Sequence, residues 1–150
     1  MATGQDLLKI AESRIGERYV YGADVPLDDS EWHGPWDCAE FATWVVYQGT
    51  GQIYGCMPND YAPIAKLDPY TGAWKRDVEN GELIEIDIED AIQTPGALLL
   101  LYGGGHHIVF SDGTGGTVEA MGSKWGVTRG RARGRHWTYG ILIPGVEYEF

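Results

Sequence analysis

Apolar positions first recur at helical spacing: Leu7, Leu8, Ala11 and Ile15 share one face of a helix that Gly16 would stop. From Tyr21 to Trp36 the period is lost. Gly22, Pro26, Gly34 and Pro35 mark a long loop that carries the acids Asp24, Asp28, Asp29 and Glu31. The strongest helix start in the chain follows. Asp37 can cap it, Glu40 stands three residues on as in a capping box, and Phe41, Trp44, Val45 and Gln48 form a buried face that runs to Gly49 and Gly51. The pattern also allows a short helix over Asn59 to Lys66.

Beyond Gly81 the period shortens to two. Ile84, Ile86 and Ile88 alternate with Glu85, Asp87 and Glu89, which predicts a strand with one buried face. Ala97 to Tyr102, after the turn Thr94-Pro95-Gly96, is an unbroken apolar run and reads as a strand buried on both faces. Glycines 103–105 lead into a strand from His107 to Ser111. The residues Asp112 to Gly116 form a hairpin loop, Thr117 to Met121 return antiparallel, and Tyr139 to Ile143 are the last strand. Helices followed by a mostly antiparallel sheet predict an α+β fold, and 150 residues without repeat or linker predict one domain.

Charge and composition narrow the partners. A net charge of -11 argues against nucleic acid, whose phosphates need a basic face. No apolar run is long enough for a membrane span. The first residues lack the basic and apolar regions of a secretion signal. Cys38 and Cys56 need not pair, since a chain of this size can build its own core. No histidine spacing suggests zinc, and the adjacent rings of His106 and His107 point to opposite faces of a strand. The acidic loop lacks the EF-hand spacing and reads as solvated, with calcium as the open alternative; no metal ligand or cofactor is assigned.

Candidate chemistry centres on Cys38, in the first turn of the capped helix. Unpaired backbone N–H groups and the helix dipole there favour negative charge, so the thiol pKa is expected to fall. The competing reading is a buried structural cysteine. A thiol nucleophile needs a base within reach, and His106 and His107 open a strand after a glycine turn. Glu119 lies on the neighbouring strand, between Val118 and Ala120, where a carboxylate can hold an imidazole. Arg129, Arg131, Arg133 and Arg135, four of the seven arginines, alternate. On one strand they would share a face, either gripping substrate carboxylates or guarding a solvated sheet edge. Trp32 and Trp36 precede the cysteine and either line a groove or cap the core.

Taken in order, these stretches resemble the NlpC-type papain-like cell-wall peptidases. The motifs are Tyr19-Val20-Tyr21-Gly22-Ala23, Asp37-Cys38-Ala39-Glu40-Phe41, Pro95-Gly96-Ala97-Leu98 and His107-Ile108-Val109-Phe110-Ser111, with Glu119 twelve positions after His107. The resemblance implies a papain-like fold with N-terminal helices packed on the sheet. It selects His107 over His106 as the base, Cys38 as nucleophile, Glu119 as third catalytic residue, and Tyr19 as a residue lining the site. Trp36, Asp37, His106 and Arg129 become candidate substrate-binding residues. Ala39-Glu40 replaces the family's Ser-Gly, Ala97 an Asp, Ala23 a Gly, and Glu119 the usual His, Asn or Gln. The implied substrate is a peptidoglycan stem peptide, cleaved through a thioester. The alternatives are a papain-like acyltransferase and a non-catalytic wall-binding or phage structural module. The expected location is cytoplasmic, or the wall after delivery by phage or secretion machinery. Oligomeric state stays open.

Overall fold

A computed structural model describes residues 1–56 and 62–150. Helix α1 spans Gly4–Glu12 and starts with a complete capping box between Thr3 and Asp6. It buries Leu7, Leu8 and Ala11, but ends before Ile15, which is exposed. Helix α2 spans Cys38–Thr50. Asp37 caps its start, and Gly51, at φ 74, closes its end in the left-handed conformation that favours glycine. The capping box expected there is only half formed: Asp37 accepts from the Glu40 N–H, while the Glu40 side chain turns inward.

Of the short helix expected over Asn59 to Lys66, Ile64–Lys66 is a 3-10 turn, and residues 59–61 lie outside the described residues. Helix α3, Thr71–Glu79, was not foreseen; its apolar anchors Ala73, Trp74 and Val78 are few. The alternating isoleucines do not make one strand. Strand β1 covers only Ile84–Ile86, and Ile88–Ile92 is a short helix, α4. Ile84 faces solvent while Leu83 is buried, so the buried set differs from that expected.

The remaining strands follow the sequence closely: β2 Leu98–Tyr102, β3 His106–Ser111, β4 Gly116–Gly122, β5 Gly126–Arg131 and β6 Tyr139–Leu142. They form one antiparallel sheet in the order β1-β6-β2-β3-β4-β5. Strand β2 is central and buried on both faces. Leu98 and Leu100 join Ile108, Phe110, Val118 and Ile141 against α1 and α2, and Leu99 joins Val109, Ala97 and Trp137 on the other face. Phe41 of α2 meets Phe110 of β3 edge to face, which fixes the start of α2 against β3. Among the described residues no helix is long and apolar enough to cross a membrane.

Candidate active site

Three local devices bring the start of α2, the start of β3 and residue 19 together. The first is the Asp37 cap. The second is a ladder in which Val20 N–H donates to Trp36 O and Trp36 N–H to Arg18 O, holding Tyr19 beside the residues that lead into α2. The third lies between α2 and β3, where the Ile108 N–H, together with those of Ala39 and Cys38, is near enough to the Cys38 sulfur to lower its pKa. The sulfur therefore lies near the start of β3. Cys38 is half-buried, and neither cysteine is in a disulfide.

The thiol does not follow the expectation from the helix dipole. Burial, then the charge of Asp37, pushes its pKa up to about 11 against the lowering by those three N–H groups. Capping α2 with an acid places the dipole's natural anion beside the sulfur, so the cap and the thiolate compete for the same helix end.

His107 and Glu119 sit on one face of the sheet. Phe110 pairs with Val118 and Ser111 with Thr117, so alternation turns residues 107, 109 and 119 the same way. His107 Nε2 lies 2.8 Å from Glu119 Oε1. The Glu119 carboxylate is buried and fully engaged: Arg135 reaches both oxygens at 2.9 and 3.0 Å, and the Thr117 hydroxyl donates to Oε2. Burial alone would raise its pKa, but the hydrogen bonds from His107, Arg135 and Thr117 hold it down to about 2. A side chain at Gly130 would come within 2.7 Å of Glu119 Oε2, so the bare backbone there makes room for the carboxylate.

An open pocket of about 270 Å³ lies in front of the sulfur, lined by Tyr19, Tyr21, Asp37, Cys38, Asp68, Tyr70, Thr71 and His106 among others. The ring of His106 stacks on Tyr102 at 4.1 Å. Burial, then the charges of Cys38 and Asp37, raise the Tyr19 pKa to about 12. Asp37 is raised to about 6, by burial first and Asp68 beside it, against N–H donors including Glu40.

Two candidate positions fall away. Trp36 is fully buried; its indole N–H donates to Glu17 and its ring packs on Phe41 and Trp44, so it belongs to the core and not to a groove. Arg129 is ion-paired with Glu12 of α1 and does not line the pocket. The alternating arginines do not act as a stripe either: β5 ends at Arg131, Arg133 grips Glu89, and Arg135 turns to Glu119. Sequence reasoning missed Asp68, Tyr70 and Thr71, which enter the pocket from the segment leading into α3, and Arg135 as the clamp on Glu119. Only Arg135 carried a signal, as the end of the arginine run. Asp24, Glu40 and Asp68 bring their carboxylates together near Asp37, and no described cysteine or histidine joins them.

No protein-family model matches the chain, and no curated protein matches its sequence. Solved structures do match. The NlpC/p60 domain of the peptidoglycan hydrolase SagA superposes with a TM-score of 0.69 at 21% identity, covering 95% of this chain and 100% of that one. The P60 domain of an antigen from M. avium subspecies paratuberculosis gives 0.63 at 21% identity, covering 93% of each chain. The peptidoglycan hydrolase RipB of Mycobacterium tuberculosis gives 0.64 at 21%, covering 93% of this chain and 63% of that one. The chain has the NlpC/P60 papain-like fold.

Proposed function

We propose that this protein is a cysteine hydrolase that cuts amide bonds in peptidoglycan stem peptides, with Cys38, His107 and Glu119 as its catalytic groups. One observation carries the reading. An N–H one residue from His107 acts on the Cys38 sulfur, and Glu119 engages His107 through Nε2, so Nδ1 is the nitrogen this reading assigns to the thiol. A histidine held through one nitrogen by a buried carboxylate has its tautomer and orientation fixed, as a general base requires. The neighbouring peptidoglycan hydrolase domains supply the substrate class.

In this mechanism His107 Nδ1 takes the thiol proton as Sγ attacks the carbonyl carbon. The raised thiol pKa makes that transfer part of the attack. Backbone N–H at the start of α2 receives the oxyanion. The Tyr19 hydroxyl, kept protonated, is a second donor from the pocket wall. Collapse of the intermediate breaks the C–N bond, and His107 returns the proton to the leaving amine. Water, deprotonated by the same ring, then hydrolyses the thioester and regenerates the thiol. His106 and Asp37 line the pocket as substrate contacts.

The test is incubation with purified walls of defined stem chemistry, with mass spectrometry of the released fragments. Cys38→Ala and His107→Ala should abolish release while leaving the fold intact, and His106→Ala should retain most of it. Tyr19→Phe should lower the rate about tenfold or more if its hydroxyl serves the oxyanion. Release that survives Cys38→Ala, or a wild-type protein inert on every wall tested, would refute the assignment; added amines captured as acyl products would redirect it to acyl transfer.

A further inference from the structure

Near the candidate centre the structure gathers three carboxylates that no pairing accounts for. Asp24 comes from the loop after α1, Glu40 from the first turn of α2, and Asp68 from the segment before α3, and each brings an oxygen within 4.8 Å of the others. Glu40 is the decisive member. It is 1% exposed, its Oε2 has no hydrogen-bond partner, and its carboxylate is aimed at the other two. Among the described residues no lysine, arginine or histidine forms an ion pair with any of the three. Buried charge is ordinarily paired or bound to metal, and like charges at this spacing repel. Three segments far apart in sequence converge on a point where a bound cation would relieve that repulsion.

We propose that Asp24, Glu40 and Asp68 bind one calcium ion. An all-oxygen, all-carboxylate donor set selects a hard cation. Oxygens that all lie within 4.8 Å of one another can share one calcium, whose ligands sit at about 2.3–2.6 Å in variable geometry. Magnesium demands a tighter octahedron, which side chains from three separate segments are poorly suited to supply. Asp24 and Asp68 are exposed, so water can complete the shell on their side. The bound ion ties the long loop and the segment before α3 to the helix that carries Cys38. Asp68 lines the pocket itself, so the ion also fixes part of the pocket wall.

The experiment reads binding, and so is independent of the hydrolase assignment. The chelator-treated protein is titrated with calcium chloride by calorimetry, with magnesium chloride in parallel, and its melting temperature is followed. We expect one calcium per chain, weaker or no magnesium binding, and a rise in Tm of about 4 °C or more at saturation. Glu40→Gln, Asp24→Asn and Asp68→Asn should each weaken binding at least tenfold; the last two alter exposed positions. Asp28→Asn, in the same loop but outside the cluster, should bind as wild type. Absence of binding heat and of any Tm rise, binding that survives Glu40→Gln, or magnesium bound as tightly as calcium would overturn the proposal.

Discussion

Glu119 and Glu40 are both buried carboxylates beside the same candidate centre, and their surroundings differ in nearly every respect that matters to a charge. Around Glu119 a guanidinium, an imidazole and a hydroxyl saturate both oxygens, and the pKa falls to about 2. Around Glu40 there are only other acids. Burial first, then Asp37, Asp68 and Asp24, push its pKa up to about 9, and one oxygen has no partner at all. The contrast separates burial from its usual consequence. Depth alone does not decide whether a carboxylate stabilises the fold; the sign comes from what faces it. The chain itself saturates Glu119, whereas among the described residues no basic side chain pairs with Glu40.

The largest expected effect comes from opening the saturated side. Glu119→Ala leaves Arg135 and His107 facing an empty, buried position, and loss of one partner from such a cluster costs about 3–5 kcal/mol. Urea unfolding should show that loss, together with a fall in wall cleavage of at least about 100-fold, since His107 loses the group that orients it.

Acid should reach the same group without mutation. The folded pKa of Glu119 is depressed, to about 2 from an ordinary 4.5, so the unfolded chain takes up its proton first. The stability this group contributes is therefore present above pH 4.5 and drains away as pH falls from there through about 2. At 1.36 kcal/mol per unit this is on the order of 3 kcal/mol. Unfolding measured from pH 6 to pH 2 should follow that limb in the wild type and lose it in Glu119→Gln.

At the Glu40 side the sign reverses. Glu40→Gln keeps the shape of the side chain and removes an acid whose pKa is pushed up to about 9, so the folded chain no longer has to take up a proton there. In chelator at pH 8 it should raise stability, by about 1–3 kcal/mol. In saturating calcium the order should invert, because only the wild type gains from the ion. A Glu40→Gln variant less stable than wild type in chelator would mean that Glu40 is already compensated, and the comparison would collapse.

How much of this was legible beforehand follows from the same contrast. The positions of Cys38, His107 and Glu119, whose catalytic roles are proposed, could be read because they depend on local pattern: a capped helix start, the first residues of a strand, and a same-face register across one hairpin. The sheet was legible from β2 onward, where apolar runs and glycine turns set the strands. Glu40 was misread because sequence offers an acid at the third helix position one obvious task, the capping box. Its actual neighbours, Asp24 and Asp68, are brought in only by the tertiary fold. Trp36 was misassigned for a similar reason: a tryptophan next to a nucleophile suits a groove or a core equally, and only Glu17, Phe41 and Trp44 decide for the core. Helix α3 escaped because its apolar anchors are few and Thr71 meets the pocket only after folding.

The smallest effect tests whether Glu119 needs a positive charge or this particular one. Arg135 touches both carboxylate oxygens and lies over the Trp137 ring at 4.6 Å, so its plane is held from two sides. Lysine keeps the charge but can neither span both oxygens nor stack as a flat group. With the Arg135 side chain about one third exposed, water softens the loss, and Arg135→Lys should cost about 1 kcal/mol. Activity should fall more than stability, because a carboxylate free to swing no longer holds the His107 ring at one angle. If Arg135→Lys leaves cleavage untouched while Glu119→Gln abolishes it, the carboxylate alone orients the histidine and the guanidinium serves only to keep it ionised.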